Sequence, residues 1–208
     1  MFYLGVNDER KLKVAIIDSG INTDLEIFQG YSILHYGENQ IDELGHGTTV
    51  ASIILDCLDP ETDLKDTVEI LSFNVLGKSG AKGNDLAKAI NQAVEEEVDI
   101  INISLGLRDE NPDLQNAIKN AHKENILILA ASGNNGLLAS DYPARYPEVY
   151  SVSAINSKQE YFEYSAKKKV DLVSVGVEVK AIDIFGKETN VTGTSFATAN
   201  ATNEIING

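Results

Sequence analysis

The chain of 208 residues holds a single cysteine, Cys57. No intramolecular disulfide can form, and no cysteine cage for zinc is available. A lone thiol suits a reducing compartment, although many secreted chains also lack cystine. No stretch approaches the roughly 18 apolar residues that span a bilayer. The N-terminal MFYLGVNDERKLK has no apolar run of signal-peptide length. Basic residues are scarce: 17 Lys and Arg stand against 32 Asp and Glu, for a net charge of −15. Such a surface repels phosphate backbones and anionic lipid, so nucleic acid and membrane are set aside as partners. Repeats, low-complexity tracts and linkers are missing too. The expectation is one soluble domain, 1–208, able to bury a core without metal or disulfide. It is expected to be a monomer and cytoplasmic, or secreted if a leader and pro-domain were removed.

Short apolar runs alternate with helical patterns. Val14–Asp18, Val68–Leu76, Asp99–Leu105 and Asn125–Ala131 are continuous apolar runs, each closed by Gly or a polar turn residue. Runs of this kind fit strands buried on both faces of a parallel sheet. Between them, helices are predicted over Thr48–Asp56, Asn84–Glu97 and Pro112–Glu124. Asn111 and Pro112 supply an N-cap and a first-turn proline for the last of these. The rhythm predicts an α/β fold of three layers, a mainly parallel central sheet with helices on both faces. After Val149 the runs shorten (VYSVSAI, VDLVSV, VKAID), and a last helix is expected near Ser195.

In such sheets chemistry sits at the carboxyl ends of the strands. Asp18 ends the first run. His46, in GHGT, opens a helix between two glycines that leave the imidazole uncrowded. Of the other two histidines, His35 falls in a polar loop and His122 late in an amphipathic helix. Asn134 follows a buried strand in AASGNNG, where its amide can donate to developing negative charge. Ser195 opens the last helix, beside unpaired N–H groups and the positive end of the dipole. Taken singly, each has an ordinary structural reading as strand end, helix start, turn or N-cap. Together they supply the parts of an acyl-transfer site: nucleophile, base, orienting acid and oxyanion donor. A phosphate-binding loop is the competing idea at Gly77-Lys78-Ser79, but Ser72 stands where its first glycine is required.

With these residues the sequence resembles a subtilisin-like serine protease. VAIIDSG, GHGTTVAS, AASGNNG and GTSFATA resemble the family's aspartate, histidine, oxyanion-asparagine and serine motifs, in the family's order. The resemblance implies that Asp18 orients His46, that His46 is the base, and that Ser195 is the nucleophile. It implies an oxyanion hole of Asn134 and the Ser195 N–H. Substrate would lie extended between Gly80-Ala81-Lys82 and Ser104-Leu105-Gly106. The pocket for the residue before the cleaved bond would be lined by Ser132, Gly133 and the segment before Tyr142-Pro143. Asp141 falls at the floor of that pocket, and a buried carboxylate there calls for Lys or Arg. The function implied is an endopeptidase of peptide or protein substrates, possessed of a peptide-processing specificity after basic residues. The alternative is a degenerate relative that binds peptides in the same groove.

The sequence departs from the family pattern in several places. Thr49 replaces a usual second histidine, and Ala199 replaces a usual proline. The chain runs 13 residues past Ser195, and 17 precede Asp18, so a short C-terminus and no pro-domain are expected. No cofactor is expected to be required. The acidic loop Asp56–Asp66 lacks the Asn-rich insertion that builds the family's strong calcium site, so it offers no clear structural calcium site.

Overall fold

A computed structural model describes residues 10–37, 40–59, 61–136 and 139–208. Residues 1–9 of the N-terminal segment read above and Pro60 of the acidic loop lie outside the described residues. So do residues 137–138 of the segment before Tyr142.

Seven strands form one sheet: β1 (Leu12–Asp18), β2 (Ser32–Tyr36), β3 (Val68–Asn74), β4 (Ile100–Ile103), β5 (Leu127–Ala131), β6 (Tyr150–Ile155) and β7 (Leu172–Val175). Their order is β2-β3-β1-β4-β5-β6-β7, and every pairing is parallel. Parallel neighbours need crossovers, and three of these carry an α-helix: α1 (His46–Ile54) before β3, α2 (Gly83–Glu95) before β4 and α3 (Pro112–Lys123) before β5, while α4 (Thr194–Asn207) follows the last strand. A separate antiparallel hairpin, β8 (Val179–Ile182) with β9 (Glu188–Val191), lies before α4.

The period-2 alternation of strand side chains divides β1 between two cores. Ala15 and Ile17 pack with Leu86 and Ile90 of α2 and Leu114 and Ile118 of α3. Val14 and Ile16 pack with Val50 and Ile54 of α1 and Ala197 and Ala201 of α4. All four β1 side chains are at most 1% exposed, which explains why the run is unbroken in apolar residues. The α/β architecture read from the sequence is thus the observed one.

Element bounds moved by only a few residues. Asn111 caps α3 as expected, accepting from Leu114 N at 2.9 Å. One expectation is corrected. His35 lies in β2 and not in a loop, with Nε2 3.4 Å from Thr23 Oγ1.

The sheet order reverses at β1, with β3 on one side and β4 on the other. That reversal opens a crevice at the carboxyl ends of these three strands. Asp18 sits in it.

Candidate active site

The Asp18 carboxylate is fully buried but well partnered. Ser19 N donates to its Oδ1 at 2.7 Å, and His46 Nδ1 lies 2.7 and 2.9 Å from its two oxygens. A ring nitrogen facing two carboxylate oxygens carries the proton, which leaves Nε2 of the neutral ring as the free base. His46 is the first residue of α1, and the approach of that helix to β1 is unusually close. A Cβ on Gly47 would fall 2.1 Å from Gly20 O, so only glycine fits after His46. Thr49 is absorbed into the same helix start, where its hydroxyl donates to Gly45 O at 2.9 Å.

The imidazole is 26% exposed and rests against the Phe196 ring, with centroids 5.5 Å apart. Burial, the largest influence on it, pulls its pKa down. The charge of Asp18, the hydrogen bond donated to Asp18 and the charge of Asp42 pull the other way and prevail, so the pKa is raised above its ordinary value.

Ser195 is the second residue of α4. Its Oγ donates to Ser104 O at 2.8 Å, while Ser104 Oγ donates back to Ser195 O at 3.0 Å. Behind them Asn102 Nδ2 donates to Ser104 Oγ at 2.9 Å, and Thr202 Oγ1 donates to Asn102 Oδ1 at 3.0 Å. This polar chain ties α4 to the end of β4 and fixes the serine backbone. The acceptor of the Ser195 hydroxyl is therefore Ser104 O and not the imidazole, and it is the next residue, Phe196, whose ring lies against His46. Asn134 Oδ1 accepts from Thr194 N at 2.8 Å. With its oxygen so used, the amide turns its NH2 toward the Gly193 backbone at the mouth of α4.

Ser104, Leu105 and Gly106 continue β4 past the sheet edge, and Leu107 and Tyr142 then exchange backbone hydrogen bonds of 2.7 and 2.8 Å. Gly80, Ala81 and Lys82 lie in the connection from β3 to α2, where Gly80 N donates to Gly77 O at 2.9 Å. Both tripeptides thus leave the strands that flank β1.

Asp141 is wedged between two of the expected pocket residues. A Cβ on Gly133 would lie 2.4 Å from Asp141 Oδ2, and one on Gly106 would lie 2.8 Å from Asp141 Cβ. Its backbone N donates to Ser132 O at 2.9 Å, and Asn135 Nδ2 donates to the two carboxylate oxygens at 3.0 and 3.3 Å. Burial raises the Asp141 pKa, against the Asn135 hydrogen bond and the charges of Arg145 and Arg108. Ala199 is buried inside α4, which runs without a break from Thr194 to Asn207. Among the described residues no group of three or more His, Cys, Asp or Glu is placed to hold a metal ion. No helix among them is long and apolar enough to cross a membrane.

Sequence reasoning missed Asp42. Its carboxylate, 4% exposed, lies four residues before His46 and accepts from the first turn of α1. An acid just ahead of a helix start was the available signal.

Comparison with known proteins gives this geometry a setting. The model of the subtilase family matches residues 9–205. The chain is 32% identical to the minor extracellular protease Epr of Bacillus subtilis (strain 168), over 92% of this chain and 31% of that protein. It is 34% identical to the major intracellular serine protease of the same organism, over 90% of this chain and 65% of that protein. It therefore spans about a third of one relative and somewhat under two thirds of the other. Among solved structures it superposes on the prenylagaramide maturation protease PagA with a TM-score of 0.82 at 27% identity, over 92% of this chain and 73% of that one. The self-cleaved protease domain of PatA gives a TM-score of 0.82 at 27% identity, over 94% and 78%. By the extent of the family match and the sheet, helices and motifs that underlie it, the chain belongs to the subtilase family.

Proposed function

We propose that this chain is a serine endopeptidase. The observation that carries the reading is the pairing of His46 Nδ1 with both oxygens of a buried Asp18, which presents a free Nε2. The Ser195 hydroxyl leaves its acceptor at Ser104 O, turns to Nε2 and attacks the substrate carbonyl carbon as His46 takes its proton. Negative charge on the carbonyl oxygen is met by the Asn134 NH2 and the Ser195 N–H. His46 then returns the proton to the leaving amine as the C–N bond breaks. Water, deprotonated by the same ring, hydrolyses the acyl-enzyme. These steps draw on side chains, one backbone N–H and water, so the mechanism calls for no cofactor.

Substrate lies extended between Gly80-Ala81-Lys82 and Ser104-Leu105-Gly106, held by main-chain hydrogen bonds. Asp141, between Gly106 and Gly133, selects Lys or Arg before the cleaved bond. A processing role fits this selectivity, in line with the maturation proteases on which the chain superposes. The single thiol suits a monomer working in a reducing cytoplasm.

A fluorophosphonate probe tests the reading. The wild type is expected to be labelled and to cleave peptides, and Ser195→Ala to do neither. A folded wild type that resists the probe yet binds peptides is instead the degenerate binding module.

A further inference from the structure

We infer that Asp42 is a positioning residue of this site, holding the first turn of α1 against the end of β1 so that His46 stays on Asp18. The inference rests on the hydrolase reading and extends it to a residue outside the Asp-His-Ser set.

The Asp42 carboxylate receives five hydrogen bonds, from both sides of the junction. Its Oδ1 accepts from Ser19 Oγ at 2.8 Å, Leu44 N at 3.1 Å and Gly45 N at 2.7 Å. Its Oδ2 accepts from Thr48 N at 3.0 Å and Thr48 Oγ1 at 2.6 Å. Ser19 is the residue after Asp18, and its Oγ also accepts from Gly47 N, the residue after His46, at 2.9 Å. The two neighbours of the Asp18–His46 pair are thus joined through one hydroxyl, and Asp42 fixes that hydroxyl. Every donor comes from β1's end or from the start of α1, so a shift of the helix relative to the strand breaks several bonds at once. This is more than an N-cap, which accepts only from the first turn of its own helix. All five donors are neutral groups.

The ionisable groups around His46 are few. Asp18 comes from β1 and Asp42 from the turn before α1; both favour the imidazolium. Glu43 pairs with Lys78 at the surface, 3.4 Å apart. Asp183, in the β8–β9 turn that packs on Gly45, accepts from Phe185 N and Lys187 N of its own turn. The neighbour from α4, Phe196, carries no charge. The two carboxylates outweigh burial and raise the His46 pKa, which moves the acid limb of activity to higher pH, because only the neutral ring is a base. Removing the Asp42 charge moves that limb to lower pH.

The test compares wild type, Asp42→Asn and Ser19→Ala, each counted by fluorophosphonate titration. Rates on one extended peptide are measured across pH, and the imidazole titration is followed by NMR in a Ser195→Ala background. Asp42→Asn is expected to lose kcat by roughly 10–100-fold, the scale of a small misplacement of reacting groups, with KM little changed. Its kinetic limb and its His46 titration both move to lower pH. Ser19→Ala keeps both carboxylates, so kcat falls while the limb stays in place. A merely structural role would lower the count of active sites and move neither kcat per site nor the limb. Wild-type kcat per site with an unmoved titration in Asp42→Asn overturns the inference. Should that variant fail to fold, Ser19→Ala decides, and wild-type kcat per site in it overturns the inference. A wild type inert to the probe sinks the hydrolase reading instead, and the NMR arm tells the two failures apart.

Discussion

At the scale of single residues, Asp141 sets the sharpest expectation. Its carboxylate touches two glycines and one amide donor, and burial makes it reluctant to ionise. An arriving cation favours the ionised form, whereas an apolar side chain leaves the charge unmatched. Peptides with Arg or Lys before the cleaved bond are therefore expected to exceed Leu or Phe peptides in kcat/KM by about tenfold or more, the scale of a hydrogen bond to a charged group. Asp141→Asn should erase most of that gap. Because the raised pKa brings protonation on earlier as pH falls, the preference for Arg and Lys also weakens on the acid side. Equal turnover of the four peptides by the wild type refutes the assignment. Asp18, His46, Asn134 and Ser195 were singled out through the four motifs that contain them, and Asp141 through a resemblance in position outside those motifs. Asp42 was passed over because three of its five donors are backbone N–H groups and a fourth comes from Ser19, 23 residues away, so only its place just ahead of a helix start showed in the sequence.

Among the elements, α1 is the most constrained, since its first turn lies against the β1 terminus with no room for a methyl group. Gly47→Ala is expected to cost about 1–3 kcal/mol, the usual penalty of overpacking. For a chain of this size that lowers Tm by roughly 2–12 °C. Thermal unfolding followed by circular dichroism checks it, and an unchanged Tm would mean that helix and strand slide apart freely. The buried strands and the amphipathic helices were readable because burial dictates their residues. β2 and β9 escaped for the opposite reason. SILHY forms the sheet's edge, with no buried side chain, and ETNV pairs only in a two-stranded hairpin. Such strands exist through backbone pairing with neighbours, a long-range cause that leaves little trace in local composition.

For the whole molecule, the net charge of −15 is a long-range term that acts before contact. A negative field draws in cationic peptides and is screened by salt, with a Debye length of about 10 Å at 0.1 M and about 3 Å at 1 M. Raising NaCl across that range should depress kcat/KM for Lys or Arg peptides severalfold and leave uncharged peptides nearly unaffected. Parallel losses for both kinds would point to a general salt effect on the protein. Strand order carries a different consequence. β1, made early, lies between β3 and β4: Leu12 pairs with Val68 and Val14 with Ile100. A polypeptide leaving the ribosome therefore bears a bare apolar strand until much later segments exist to cover it. Non-local parallel pairing is slow. Refolding from denaturant should be slow for the same reason, and the strand that centres the site is the one a chaperone would have most cause to shield.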